Sequence, residues 1–325
     1  MKAQFRTQFA PLQSNNYFGS HFDDDFLFFG NRDEQYSGGF AFEYLTSIKK
    51  THERRHLFNP FSNSQRFLTI SMGGELYTPY NVSDSLIILN DRPYSSYLYS
   101  TMGYTAYSSN GDQKLNFDFY FGIMGSELPG KIQELVHTVG DSPPTYGWEN
   151  RLMSEEVFIP NIRIHYQRNM LTLGEIKPSM FNWFQLTSSF IINTGYFANN
   201  IGTGFKANLS TALPNSPAKH TLNLHPFDAH YAKQLERKTI WNVYFSGQIE
   251  LVGRNTSLQS LPWVNSPYVI SRDLVNRHVW TLECGINMTH KRLYMTYYVR
   301  ARSKEFIKYA KTWHSWASIA IGRSF

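Results

Sequence analysis

The sequence has few of the features on which most protein classes depend. Only one of its 325 residues is cysteine, Cys284, so an intramolecular disulfide framework is excluded. Charged residues make up only 17% of the chain, whereas roughly 25% is usual for soluble domains. No uncharged apolar run approaches the ~18 residues that would suggest a membrane-spanning helix. A disulfide scaffold and a helical membrane protein are therefore both excluded.

Aromatic residues, by contrast, are abundant. The chain holds 25 Phe, 21 Tyr and 7 Trp, yet its mean hydropathy is −0.40. Both observations are explained if apolar and polar residues alternate, because a closed sheet then turns one face to lipid and the other to a wet lumen. The composition therefore favours a transmembrane β-barrel.

The charge balance is weakly basic, with a net charge of +6 at pH 7. The Lys and Arg residues are scattered along the chain and form no cluster typical of nucleic-acid binding. We therefore expect no nucleic-acid partner. The charge suits an anionic partner such as a phosphorylated glycolipid.

Strict alternation marks the strands. In one segment Leu115, Phe117, Phe119, Phe121 and Ile123 fall on one face, and polar residues fill the positions between them. Segments 241–251, 280–288 and 293–299 repeat this pattern. Because successive side chains of a strand point to opposite faces, each segment predicts a lipid face and a lumen face. A soluble β-sandwich could show the same alternation.

Further details favour the barrel over the sandwich. The alternating segments run about ten residues or more, as a tilted membrane strand requires, whereas a typical strand has ~5–6 residues. The chain ends on an aromatic residue, Phe325, after an alternating stretch. Aromatic residues also crowd predicted strand ends and suggest an interfacial girdle: Tyr94, Tyr97, Tyr99, Tyr104 and Tyr107.

We predict an all-β fold, a twelve-stranded antiparallel transmembrane β-barrel with short helices in the extracellular loops, formed by residues 1–325 as a single domain. Two intervening segments, 128–139 and 227–238, read as helices in long outer connections. The predicted strands are 22–29, 38–48, 66–78, 95–107, 113–125, 156–168, 182–193, 198–210, 239–253, 278–289, 292–303 and 313–325.

Three consecutive carboxylates, Asp23 to Asp25, stand in the predicted first strand. If this strand alternates, Asp24 shares a face with Phe22, while Asp23 and Asp25 share the other face. An unpaired charge on the membrane face costs on the order of 2–4 kcal/mol at mid-depth, which a strand end and a bound cation would reduce. Carboxylate and carbonyl oxygens are the ligands that calcium prefers. A solvated acidic strand tip explains the same residues.

The predicted helix after residue 125 carries a second group of interest. Pro129 lies near its start and Gly140 follows it. Gln133 and His137 are four residues apart, so they share one helix face. A histidine can deprotonate water or protonate a leaving alcohol near neutral pH. An ordinary surface histidine is the alternative interpretation.

Taken together, these segments resemble the LpxR family of outer-membrane lipid A 3′-O-deacylases over nearly the whole chain. Each match is short, but their order and spacing are specific. The matching segments are Asp24-Asp25, Tyr36-Ser37-Gly38-Gly39, Leu76-Tyr77-Thr78-Pro79, Asp91-Arg92-Pro93-Tyr94, Gly125 to His137, Gly147-Trp148, Glu155 and Lys304-Glu305-Phe306.

The resemblance implies a calcium-dependent carboxylic ester hydrolase that removes an acyl chain from lipid A of lipopolysaccharide in the bacterial outer membrane. His137 would be the general base that activates water. Asp25, with Asp24 beside it, would hold Ca²⁺, which together with Ser37 would stabilise the oxyanion. Gln133 and Arg92 are candidate substrate contacts, and we expect a monomer.

The sequence also departs from the family pattern. Asp24 stands where the family has Asn, so the site carries an additional negative charge. This departure supports an alternative, a non-enzymatic barrel, either a pore or a binding or structural protein, whose site has decayed. An outer-membrane phospholipase fits the chemistry as well.

Overall fold

The computed structural model describes residues 16–25, 27, 34–48, 61, 65–108, 112–174, 183–211 and 239–325. These residues form twelve strands that close into one barrel. The strands are β1 (Asn16–Asp24), β2 (Gly38–Ser47), β3 (Gln65–Tyr77), β4 (Ser95–Tyr107), β5 (Gln113–Met124), β6 (Val157–Gly174), β7 (Trp183–Gly195), β8 (Ala198–Ser210), β9 (Thr239–Asn255), β10 (His278–His290), β11 (Leu293–Ser303) and β12 (Trp313–Ser324).

Every strand pairs antiparallel with its neighbours in the sequence, and β1 pairs with β12 to close the sheet. The closing register places Tyr17 opposite Ser324 and Asp24 opposite Ala317. Closure with an even number of strands leaves no edge exposed. The predicted fold class is confirmed.

The two faces of the barrel follow the predicted alternation. On β5, Lys114, Asn116, Asp118 and Tyr120 are buried in the lumen, while Phe121 is exposed on the outer face. The residues at odd positions of this strand are more exposed throughout. The apolar outer face is the surface that lipid would cover.

Large side chains and ion pairs fill the lumen. Tyr97 on β4 stacks on Phe197 from the connection between β7 and β8, with ring centroids 4.0 Å apart. Arg300 Nε donates a hydrogen bond to Glu283 Oε2 at 2.8 Å, and other charged groups are paired in the same way. Because buried charges are tolerated only when paired, the lumen is a polar core.

This packing corrects the predicted aromatic girdle. Tyr97, Tyr99 and Tyr107 are buried and point into the lumen, because they occupy the inward positions of β4. Tyr94 precedes the strand and is also buried. Only Tyr104 lies on the outward side. Sequence proximity to a strand end did not distinguish the two faces.

The predicted strand positions agree with the observed ones to within a few residues, except for the first and sixth strands. β1 spans Asn16–Asp24, whereas the predicted first strand was 22–29, of which residues 26, 28 and 29 lie outside the described residues. β6 extends to Gly174, with a register shift between Asn169 and Leu171. The register of β1 is set by its pairing with β12, which sequence alternation within β1 does not show.

The ends of the strands define two rims. One, here called the site rim, is where β1 ends at Asp24, β2 begins at Gly38, β3 ends at Tyr77 and β4 begins at Ser95. The connection between β5 and β6 also lies there and contains α1 (Leu128–Val139) and a 3₁₀ turn (Gly147–Asn150). The connection from β9 to β10 holds α2 (Thr256–Gln259).

The helix predicted at 227–238 lies outside the described residues. The strands on either side of it, β8 and β9, have Ser210 and Thr239 at the rim opposite the site rim. Among the described residues, no helix has the length and apolar character needed to cross a bilayer.

Candidate active site on the outer wall

One row of residues at the site rim faces outward from the barrel. The strand register places Asp24 opposite Gly38, Gly38 opposite Leu76, and Leu76 opposite Ser96. Their strand neighbours Glu75 and Tyr97 point into the lumen, so this row lies on the outer face. We call Asp24, Gly38, Leu76 and Ser96 the outer-wall row.

Although it faces outward, part of this row is covered. Leu76 is 8% exposed and Ser96 is 2% exposed. Further down the same face, Met72 and Met102 are each more than half exposed to the surroundings of the barrel. Some other part of the chain must therefore lie against the outside of the barrel at the site rim.

The covering element is α1 with the residues around it. The helix follows β5 but packs back against β3 and β4. Ser96 Oγ donates to the carbonyl oxygen of Ser126, just before the helix, at 3.4 Å. The helix buries Pro129, Gly130, Gln133 and His137. Its buried side is therefore largely polar. We call the interface between the outer wall and this side of α1 the cleft.

A tight turn starts this connection. Gly125, at the end of β5, has a φ of +88°, and a Cβ atom there would lie 2.1 Å from the carbonyl oxygen of Glu155. Arg151 Nε donates to the Gly125 carbonyl oxygen at 2.9 Å. Only glycine fits such a backbone conformation and close approach without strain. This turn directs the chain out of the barrel wall and toward the helix.

His137 is held in one orientation. Its Nδ1–H donates to the carbonyl oxygen of Pro143 at 2.5 Å. In the neutral ring this hydrogen bond places the proton on Nδ1 and the lone pair on Nε2. The ring is therefore in the tautomer that a general base requires.

Trp148 positions the helix. Its Nε1–H donates to Gln133 Oε1 at 2.8 Å, and its ring packs on Tyr94 with centroids 5.1 Å apart. A Cβ atom on Gly130 would lie 2.8 Å from the Trp148 ring, so glycine is what permits this contact. Gln133 thus shares a face with His137, as predicted, and this face is packed against the 3₁₀ turn.

The helix start is surrounded by charge. Lys131 Nζ lies 3.2 Å from Glu127 Oε2, and Arg151 lies on the other side of the same carboxylate. The hydrogen bond and positive charge of Lys131, followed by the charge of Arg151, lower the pKa of Glu127 below its usual value. Glu127 is solvent exposed and contributes local charge rather than a buried catalytic group.

The acidic residues of the first strand point in different directions. Asp24 is half-buried in the outer-wall row, on the same face as Phe22, as predicted. Asp23 is buried in the lumen, where Tyr36 donates to it at 2.6 Å. Asp25 lies just past the strand, is 1% exposed, and accepts the backbone N–H of Glu34 at 3.1 Å.

Ser37 directly precedes β2, in the connection from β1. It is buried, and its hydroxyl is hydrogen bonded to that of Thr78. Its backbone N–H donates to the Leu76 carbonyl oxygen at 3.1 Å. The structure therefore brings Ser37, Asp24 and Asp25 to the rim that also carries α1.

The connection before Ser37 is anchored on both sides. Glu34 forms an ion pair with Lys311, and Gln35 donates to Asp91 at 3.2 Å. Burial, followed by the negative charge of Glu34, raises the pKa of Tyr309. These contacts fix the position of the residues from which Asp25 receives its hydrogen bond.

Arg92 lies beneath the outer connections. Its guanidinium donates to Gln35 Oε1 and Ser257 Oγ, each at 3.1 Å, and pairs with Glu305. It also lies 4.7 Å above the ring centre of Tyr77. Its side chain is fully buried, so Arg92 joins separate connections of the rim rather than lining the cleft.

The rim offers oxygen donors of the kind that calcium prefers, namely the carboxylates of Asp24 and Asp25 and the hydroxyl of Ser37. In the described part of the chain, no group of three or more His, Cys, Asp or Glu residues is arranged to hold a metal ion. Hydroxyl, carbonyl or lipid oxygens would therefore have to complete the coordination of a cation. The residues fit a hard cation by their chemistry.

Sequence reasoning missed part of this site. Leu76 and Ser96 lie on the strands that α1 covers, but they belong to separate strands and their relation depends on the register. Pro143, which orients His137, lies in an irregular segment. The sequence of α1 did contain a signal for this site. Its polar residues Gln133 and His137 lie on a different face of the helix from its apolar residues.

Comparison with known proteins identifies the family. The model of the family described as outer membrane protein LpxR matches residues 3–325. The chain belongs to this family. No curated protein matches the sequence. As an LpxR family member with a closed twelve-stranded barrel, the chain is an outer-membrane protein.

One solved structure shares the barrel fold of this chain, and others are similar to a lesser extent. LpxR from Salmonella typhimurium aligns with a TM-score of 0.71 and 14% identity, covering 95% of this chain and 100% of that chain. At this identity the similarity shows the fold alone. The β domain of the Bordetella autotransporter BrkA gives a TM-score of 0.44 at 8% identity, covering 95% of this chain and 99% of its own. The translocator domain of the autotransporter NalP from Neisseria meningitidis gives a TM-score of 0.40 at 10% identity. This alignment covers 96% of this chain and 89% of that chain.

Proposed function

We propose that this LpxR family member hydrolyses an acyl ester of lipid A in the outer leaflet of the outer membrane. The observation that supports this function most is the packing of α1 against the outer side of β3 and β4. It places a buried imidazole outside the barrel, beside the surface that lipid covers. A lipid could enter such a cleft sideways from the membrane without passing through the lumen.

His137 acts as the general base in this proposal. Its Nε2 lone pair accepts a proton from water, and the resulting hydroxide adds to the ester carbonyl carbon. The protonated ring then gives its proton to the leaving alkoxide. The products are a free fatty acid and a lipid A hydroxyl group, so the reaction consumes one water molecule and needs no redox partner.

The developing oxyanion needs positive charge or hydrogen-bond donors. We assign Ser37 to this role through its hydroxyl, and Asp24 contributes to the catalytic site from the end of the outer-wall row by helping to hold the cation. Asp25 and Asp24 are the residues that would hold calcium. When bound, calcium would act as a Lewis acid toward the carbonyl oxygen.

Other groups serve the site indirectly. Gln133 accepts a hydrogen bond from Trp148, and we assign it to positioning α1 and the substrate. Arg92 stabilises the rim through its buried contacts. All proposed catalytic groups come from one barrel, formed by the whole chain as a single domain, so we propose that a monomer acts on lipopolysaccharide.

The filled lumen disfavours the alternative of a pore. Fully buried rings lie near both ends of β4, at Tyr97 and Tyr107, and Tyr120 lies between them on β5. Asp24 in place of the family asparagine remains the feature that favours a barrel with a decayed site. A phospholipase would use the same cleft and the same groups.

Mass spectrometry of lipid products tests the proposal. The purified protein is incubated with lipid A and calcium, with a parallel sample containing a chelator and another containing phospholipid as a competitor. We expect lipid A to lose the mass of one acyl chain only when calcium is present. No acyl loss would favour the non-enzymatic barrel, and preferential phospholipid cleavage would favour the phospholipase.

A further inference from the structure

α1 has an unusual arrangement of side chains around its axis. With about 3.6 residues per turn, its residues divide into three sectors. Gly130, Gln133 and His137 form the sector that packs against the protein. Lys131, Glu134 and Thr138 form an exposed polar sector. The remaining sector is apolar, and we call it the apolar stripe: Leu128, Ile132, Leu135, Val136 and Val139.

Most of the apolar stripe is exposed. Leu128 is 53% exposed, Leu135 is 64% exposed and Val139 is 81% exposed. Meanwhile Gln133 and His137 are buried. In a helix that borders water the opposite arrangement is usual, because burying apolar surface is what stabilises the packing. The environment of the exposed side is therefore expected to be apolar.

The lipid-facing surface of the barrel reaches this helix. Ile123, the last outward-facing residue of β5, is 39% exposed and lies opposite Leu98 in the register. Leu98 is two residues from Ser96 along β4, which is about 7 Å at the usual rise of a strand. The outer apolar belt thus ends just below the row that α1 covers, and the stripe continues it.

From this geometry we propose that α1 is embedded in the outer leaflet, with its apolar stripe in contact with the acyl chains of membrane lipids. The polar sector of Lys131, Glu134 and Thr138 then faces the headgroups, as in helices that lie in the plane of a membrane interface. The third sector faces the barrel wall. Three environments meet at the helix, and each matches one sector.

This inference concerns the membrane position of α1 and does not rest on the proposed reaction. If α1 lies among acyl chains, the cleft behind it opens at the depth where those chains meet their headgroups. The connection between β5 and β6 is then part of the surface that contacts the membrane, although it lies outside the barrel wall.

Site-specific fluorescence in bilayers tests this position. In a Cys284→Ala background, Leu135→Cys, Val139→Cys and Glu134→Cys would each be labelled with a small environment-sensitive fluorophore. Glu134 is the matched control, because it is exposed on the polar sector of the same helix. Each labelled barrel is reconstituted into phosphatidylcholine vesicles with or without brominated acyl chains. Heat-modifiable gel migration confirms that each variant is folded.

We expect brominated chains to reduce the emission of the probes at positions 135 and 139 by about twofold or more, with little loss at position 134. Aqueous iodide should quench in the reverse order. Quenching by iodide at positions 135 and 139 would overturn the proposal in favour of a water-exposed helix. Protection from both quenchers would overturn it in favour of a covering protein.

Discussion

The lumen and the outer-wall cleft bury polar groups in different ways. In the lumen, charged residues on neighbouring strands pair with one another, as Arg300 on β11 does with Glu283 on β10, where Arg300 Nε donates to Glu283 Oε2 at 2.8 Å. In the cleft, Gln133 and His137 come from a connection that packs against β3 and β4, where Leu76 and Ser96 are buried. The lumen has the charge pairing of a structural core, whereas the cleft buries polar groups between a helix and the outer wall, which is where the proposed site would lie.

We expect the largest loss of activity from a substitution in the cleft. His137→Asn removes the proposed base but keeps a side chain of similar size. We expect deacylation of lipid A to fall by about 10²–10⁴-fold, as when a general base is lost, with the fold unchanged. Product mass spectrometry measures the rate. The matched control is His290→Asn at the opposite rim, which should keep full activity, and equal activity of both variants would refute the role of His137.

In the lumen, Glu283→Ala should destabilise the barrel with little effect on the chemistry. It leaves the buried Arg300 guanidinium without its main partner, a change that typically costs about 3–5 kcal/mol. Urea unfolding in detergent, followed by tryptophan fluorescence, measures this free energy. Glu156→Ala, at an exposed acid, is the control. If Glu283→Ala abolished activity per folded molecule, the assignment of the lumen to structure would be wrong.

Removal of calcium should affect only the cleft. We expect a chelator to lower the activity by about 10²-fold, the size of a lost oxyanion-stabilising group, and added calcium to restore it. Asp25→Asn should raise the calcium concentration needed for half-maximal activity. Asp24→Asn restores the residue that the family pattern has and should leave the enzyme active. Calcium-independent activity in both the wild type and Asp25→Asn would contradict the assignment.

We expect the smallest loss of activity when the hydrogen bond that positions α1 is removed. Trp148→Phe keeps the ring contact with Tyr94 but removes the hydrogen bond to Gln133. The loss of one such hydrogen bond costs about 1 kcal/mol, so we expect an activity decrease of about fivefold. Trp263→Phe, at an exposed ring of another connection, should be neutral. Identical rates for the two variants would show that Trp148 does not position the site.

The sequence predicted the barrel because alternation is a local property. Phe121 and Ile123 are exposed and Asp118 and Tyr120 are buried, as their positions in β5 required. Alternation failed where long-range pairing decides. The start of β1 and the inward direction of Tyr97 follow from the register of the closed sheet, which single segments do not encode.

The candidate site was predictable only in its parts. The spacing of Gln133 and His137 placed them on one helix face, which the structure shows to be buried. Where that face lies could not be derived, because helical periodicity does not specify which surface the helix covers. The burial of Ser96 on an outward position became visible only in three dimensions. Whether these residues carry out the proposed chemistry stays a prediction.

A pair of bulky substitutions on β4 tests the location of the active site most directly. Ser96 and Ser100 face outward on the same strand, but Ser96 is covered and Ser100 is exposed. Ser96→Trp should fill the cleft and abolish lipid A deacylation, whereas Ser100→Trp should leave it intact, with both barrels folded by gel migration. An active, folded Ser96→Trp variant would contradict the assignment of the active site to the outer wall.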